Sequence, residues 1–116
     1  MAKSSIFVQY ILECLNPLGS VTARAMFGGY NVALDGLTFG LIADDVLYLK
    51  VDMHNLETFT GAGLEPFTFD KQGEAVVMSY RQAPDLLEDW DAFEPWVMGA
   101  LEAARRAKKP KAKKRQ

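Results

Sequence analysis

Apolar residues recur at helical spacing near the start of the chain, at Phe7, Ile11, Cys14, Leu15 and Leu18, behind two serines able to cap, Ser4 and Ser5. The pattern predicts a helix ending near Leu15, because Asn16-Pro17-Leu18-Gly19 cannot continue it, with Leu18 packing from the turn. From Val21 onward the chain reads as strands. The span from Val21 to Leu34 resembles one long strand interrupted at Gly28-Gly29, where the missing side chains point to a bulge, a bend or a close backbone approach. Asp35-Gly36 then separates two apolar runs, and a type I′ hairpin turn needs positive φ at both of its central positions. Leu37–Ala43 follows, then Asp44-Asp45, then Val46–Val51, which completes a three-stranded antiparallel meander.

Asp52 or Asn55 can cap a short connecting helix through Leu56 and Phe59, closed by Gly61-Ala62-Gly63. Strands at 66–69 and 75–80 come next, joined by the polar loop Asp70-Lys71-Gln72-Gly73-Glu74. The last helix carries Phe93, Trp96, Val97, Ala100, Leu101 and Ala104 at spacings of three and four. Asp89 or Asp91 can cap it, and its start is expected near Asp91 to Glu94, because Pro95 lacks an N–H and fits only a first turn. The order predicts an α+β fold: helix, three-stranded meander, short helix, two-stranded hairpin and C-terminal helix, with the helices on one face of the sheet. Residues 1–107 form the single expected domain, and 108–116, reading KKPKAKKRQ, an expected disordered basic tail.

Charge divides the chain more sharply than its net value of −2 suggests. Residues 1–104 hold five bases against 15 acids, a balance of −10, whereas residues 105–116 carry +8. Such an asymmetry between body and tail is the mark of an interaction arm. One cysteine cannot make an internal disulfide, and no apolar run matches a secretory signal or a membrane span, so a soluble cytoplasmic protein without membrane contact is expected.

In its motifs RAMFGGY, then DG, then ADDVLYLKVD, EPFTF and AVVMSY followed by a helix opening near a proline, the chain resembles the TfoX (Sxy) N-terminal domain family over roughly residues 20–106. The resemblance implies a small α+β domain of the secretion-chaperone-like, or YgaC-like, type. It also implies a regulatory role, because the family's namesakes act positively on transcription in bacterial competence beside the cyclic-AMP receptor protein. Those namesakes carry a second, C-terminal helical domain, whereas this sequence reads there as a lysine-rich tail.

Candidate chemistry is sparse. Cys14 lies on the apolar helix face as a small hydrophobe, and the single histidine, His54, falls at the start of the connecting helix as an exposed or capping residue. Asp52 and His54 stand at the opposite end of a six-residue strand from Asp44 and Asp45, about 20 Å away, too far to share an ion. Gly28-Gly29 has strand on both sides rather than the helix N-terminus that a phosphate cradle needs. No residue is therefore assigned to catalysis, to a metal or to a cofactor. Arg24 and Tyr30 form a candidate partner surface, and Trp90 joins it if it projects from the loop before the last helix; the competing readings are an ion pair for Arg24 and core packing for Trp90 and Trp96.

The tail has the most direct binding mechanism. Arg105, Arg106, Lys108, Lys109, Lys111, Lys113, Lys114 and Arg115 can displace counterions from phosphates, with a log-log salt slope of up to roughly −7 if all engage duplex DNA. No aromatics interleave with them, so sequence readout is not expected. The competing reading is a tail that only aids solubility or folds back on the body's carboxylates. Together these features predict a non-enzymatic regulatory or adaptor protein, with a protein partner such as the transcription machinery, nonspecific nucleic-acid affinity and a homodimer formed through the sheet. The alternative is a small-molecule module using an aromatic cleft between sheet and last helix, lined by Phe39, Tyr48, Phe67 and Tyr80.

Overall fold

A computed structural model describes residues 2–26 and 29–108. Helix α1 (Ala2–Cys14) leads through a single 3-10 turn at Asn16–Leu18 into β1 (Val21–Met26), β2 (Gly29–Leu34), β3 (Leu37–Ala43) and β4 (Val46–Lys50). Helix α2 (Leu56–Gly61), strands β5 (Pro66–Lys71) and β6 (Glu74–Gln82), and helix α3 (Trp90–Lys108) complete the chain. The six strands form one antiparallel sheet in the order β1-β2-β3-β4-β6-β5. The fold is α+β, as the pattern predicts.

The strand count differs from the sequence expectation. Val21–Leu34 is two strands, β1 and β2, paired antiparallel from Val21↔Leu34 to Met26↔Gly29, so the glycines mark a chain reversal rather than a bulge within one strand. Gly28 itself lies outside the described residues. At Gly29 the expected close backbone approach is present: a Cβ there would lie 2.3 Å from the carbonyl oxygen of Ile42. An irregularity occurs one hairpin later, where Val32 pairs with Gly40 but Ala33 pairs with Thr38, leaving Phe39 as the extra residue; a second register shift falls between Pro66 and Thr68 of β5.

Three hairpins close on two left-handed residues each. Asp35 and Gly36 have φ of 51° and 80°, Asp44 and Asp45 of 51° and 59°, and Gln72 and Gly73 of 53° and 86°. These values match the primed turns whose twist suits flanking strands. The third turn is tighter than the five-residue loop expected at 70–74, and both of its strands are correspondingly longer.

Helices α1 and α3 cover one face of the sheet. Val8 and Ile11 of α1 and Leu15 directly after it join Val32, Phe39, Ile42, Leu47, Leu49 and the α3 stripe Phe93, Val97, Ala100, Leu101 and Ala104 in a single buried cluster, with α3 resting chiefly on β3 and β4. Each large side chain fully removed from water there contributes about 1.5–3 kcal/mol before entropy is charged. Leu18 packs on this cluster from its turn, as expected, and Phe59 of α2 meets Trp96 edge-on at 5.0 Å and 89°.

Helix boundaries shift in two places. Ser4 and Ser5 fall inside α1 rather than ahead of it. Helix α3 begins at Trp90, because Asp89 caps it: its side chain and backbone carbonyl accept from the N–H of Ala92, and its carbonyl also accepts from Phe93. Pro95 therefore sits in the second turn, exposed to solvent, at the cost of one helical hydrogen bond. At the other end α3 runs through Lys108, one residue past the expected domain boundary, and 109–116 lie outside the described residues.

Gly99 in α3 has room for a side chain, since an added Cβ would meet only Asn55, at 3.6–3.8 Å. Gly99→Ala is accordingly expected to raise stability by about 0.5–1 kcal/mol through helix propensity, read as an upward shift in the thermal midpoint.

Candidate functional site

Strand register sorts side chains between the helix-covered face and the opposite one. One row of directly paired residues crosses five strands: Arg24↔Asn31, Asn31↔Leu41, Leu41↔Tyr48 and Tyr48↔Gln82. Directly paired residues share a face, so this row lies together on the side away from α1 and α3. Lys50 pairs with Tyr80 beside it and places its ammonium 5.0 Å from the centre of that ring. Phe67 packs on Tyr48 at 4.9 Å between ring centres. Burial pushes the Tyr80 phenol above its ordinary value, and burial, then the Asp44 charge, does the same for Tyr48, so both hydroxyls stay protonated at neutral pH.

The partner-surface residues expected from the sequence do not stay together. Arg24 is exposed on the helix-free face, and among the described residues it has no ion pair. Tyr30 pairs with Ala25 and Ile42, which puts it on the opposite face, half-buried against the core. Trp90 is the first residue of α3; it is half-buried, packs on the same core and meets Phe93 at 6.4 Å and 78°. The four aromatics expected to line a cleft are also divided. Phe39 is fully buried under the helices, while Tyr48, Phe67 and Tyr80 lie on or beside the helix-free row, so no single cleft between sheet and α3 holds all four.

A second constellation fixes the end of α3. The Arg106 guanidinium donates from Nε and Nη2 to the Asp52 carboxylate at 2.6 and 3.1 Å. Asp52 also accepts from the backbone N–H of His54 through Oδ1, and its carbonyl accepts from Leu56 at the start of α2. Asn55, at the N-cap position, turns its side chain back toward β4: Oδ1 accepts from the Asp52 N–H at 2.8 Å and Nδ2 donates to the Lys50 carbonyl at 3.1 Å. Asp52 thus links β4, α2 and α3. His54 is exposed in the turn ahead of α2.

Of the expected tail cations, Arg105 and Lys108 are exposed on the last turns of α3, whereas Arg106 is held by Asp52. Lys109, Lys111, Lys113, Lys114 and Arg115 lie outside the described residues. The guanidinium holds the Asp52 carboxyl below its ordinary value, so the bond's contribution to stability is present above the unfolded value and lost as pH falls through the lower folded one. Asp52→Asn is expected to lower the thermal midpoint at neutral pH, and the gap between the two proteins should close below about pH 4. A gap that persisted undiminished at acid pH would show that the carboxylate charge is irrelevant.

Cys14 is half-buried beside Tyr10, and burial raises its thiol above the ordinary value, the environment of an inert cysteine. Tyr10 donates to Glu88 Oε2 at 2.7 Å and so ties α1 to the segment before α3; that bond raises its phenol.

Residues 13–104 match the family described as the TfoX N-terminal domain. The chain belongs to that family. A 75-residue stretch, 65% of the chain, is 27% identical to Protein Sxy of Escherichia coli (strain K12). It covers 36% of that protein's length, so the chain spans little more than a third of the relative it matches. Membership in the TfoX N-terminal family agrees with the resemblance carried by RAMFGGY, DG and ADDVLYLKVD, all within the matched span. Among the described residues no helix is long and apolar enough to cross a membrane. The row across the sheet and the Asp52–Arg106 bond are features of this TfoX N-terminal domain that residue patterns do not announce. Their partners are brought together by register and by helix docking.

Proposed function

We propose that this chain is a non-enzymatic regulatory adaptor of the TfoX N-terminal type, tied to transcription or competence control, in which the α+β body contacts a protein and the basic C-terminal segment adds nonspecific affinity for nucleic acid. Family membership, with the likeness to Protein Sxy, carries the regulatory part of this reading. The nucleic-acid part is supported by Arg105 and Lys108, exposed at the end of α3 directly ahead of five further cations. Because Arg106 is engaged by Asp52, at most seven of the eight basic residues can turn to phosphate.

A salt series of DNA binding tests the proposal. With seven contacts the log-log slope should approach −6, which costs roughly a thousandfold or more in affinity between 50 and 200 mM salt. A cut after Ala104 would also remove Arg106 and its bond to the body, so the informative variant keeps the whole chain and replaces Lys108, Lys109, Lys111, Lys113, Lys114 and Arg115 with glutamine. That protein should retain its fold and show a nearly flat salt response. Equal binding by both proteins would remove the segment from any role in nucleic-acid contact.

A further inference from the structure

We propose that the helix-free face of the sheet docks an acidic amphipathic helix of a partner protein, laid across the strands along Arg24, Asn31, Leu41, Tyr48 and Gln82; this names the protein-contacting surface of the adaptor reading and rests on it. Five strands at about 4.8 Å spacing make the row about 19 Å long, the length of a helix of about 13 residues. Its centre is apolar and aromatic, with Leu41 buried in the face and Phe67 packed on the half-buried Tyr48; the Asn31 Oδ1 accepts from Thr38, which leaves its amide N–H groups and the Gln82 amide to pair with a ligand.

Charge decides the partner's chemistry. The strands β1 to β4 place two charged side chains on this face, Arg24 and Lys50, and both are cationic. The surrounding body is strongly acidic, with a balance of −10 over residues 1–104, and the Asp44 charge reaches Tyr48, so the two cations that β1 and β4 place on this face stand out against their surroundings. Among the described residues neither cation pairs with a carboxylate; Lys50 lies over Tyr80 instead. A carboxylate-bearing helix would supply those partners where desolvation strengthens them. A second copy of the same face would set cation against cation. Nucleic acid would find the two cations but would also meet the repulsion of the acidic body.

The test titrates the isotope-labelled full chain with two synthetic helical peptides of about 14 residues that share leucine and phenylalanine at i, i+3, i+4 and i+7 and carry glutamate or lysine elsewhere, and with an oligothymidylate of similar length. The glutamate peptide should perturb the backbone amide signals of the row, and the double variant R24E/K50E should bind it at least tenfold more weakly with an unchanged thermal midpoint. Should the Lys50 change disturb the fold, R24E alone, exposed on an edge strand, is expected to weaken binding severalfold. Perturbation confined to the helical side, equal affinity for the lysine peptide, absence of saturable binding at millimolar peptide, or selective capture of the oligonucleotide by the row would each overturn the proposal. Loss of tail-dependent DNA binding with row binding intact would instead remove only the nucleic-acid arm.

Discussion

Phe93→Ala is expected to destabilise the domain by about 3–5 kcal/mol, the largest effect of any single change considered. The ring is fully buried on the first turns of α3, where it joins the cluster formed with β3, β4 and α1. Truncation removes both the transfer energy of the ring and its contacts, and leaves a void under a helix whose neighbours are already packed. Edge-to-face contact with Trp90 is lost as well. Because a small domain holds only about 5–15 kcal/mol in total, a large share of the molecules would unfold at modest denaturant. Urea titration should show a lower midpoint with an unchanged slope. A loss below about 1 kcal/mol would mean that α3 does not seat on the sheet as described.

The second large effect falls on a residue without a side chain. Gly29→Ala should cost about 2–3 kcal/mol, at the upper end of overpacking penalties, because the new methyl would meet the backbone carbonyl of Ile42 at 2.3 Å rather than a movable side-chain tip. Relief requires β2 to move away from β3, which stretches the ladder at Tyr30↔Ile42. The contrast with Gly99→Ala, where the neighbouring atoms stand at ordinary contact distance, makes the pair diagnostic. Thermal unfolding should move in opposite directions for the two alanines. A rise for both would show that strand spacing at Gly29 is wider than described, and a fall for both that Gly99 lacks the room described.

Much of the architecture is legible in the residues themselves. The Asp35-Gly36 turn, the stripe from Phe93 to Ala104 and the connecting helix around Phe59 each depend on local periodicity or turn chemistry, and each appears as expected. Gly28-Gly29 was ambiguous for a physical reason: apolar residues flank it on both sides, and a glycine pair serves a bulge and a reversal equally well. Only the antiparallel pairing of Val21–Met26 with Gly29–Leu34 separates the two, and single-residue chemistry does not encode it. Helix α3 began early because an aspartate cap at Asp89 and the burial of Phe93 outweigh one hydrogen bond lost at Pro95.

The candidate surfaces were less legible. Alternation alone cannot say which face Arg24 or Tyr30 occupies once the count of strands is wrong, because a missed reversal changes which residues lie opposite one another. The extra residue at Phe39 then lets one strand send Phe39 and Ile42 to the core and Leu41 to the helix-free side. Arg106 finds Asp52 across 54 positions of sequence, a pairing that no local spacing encodes.

The placement of α3 gives the molecule two separate hands. Its last turns, which carry Arg105 and Lys108 and are anchored at Asp52, belong to the helical layer, while the row from Arg24 to Gln82 looks out from the other surface of the sheet. If the proposed nucleic-acid and protein contacts hold, the two surfaces would not compete, so a polyanion and a protein could be held at once and confined to a shared small volume, raising the local abundance of each for the other.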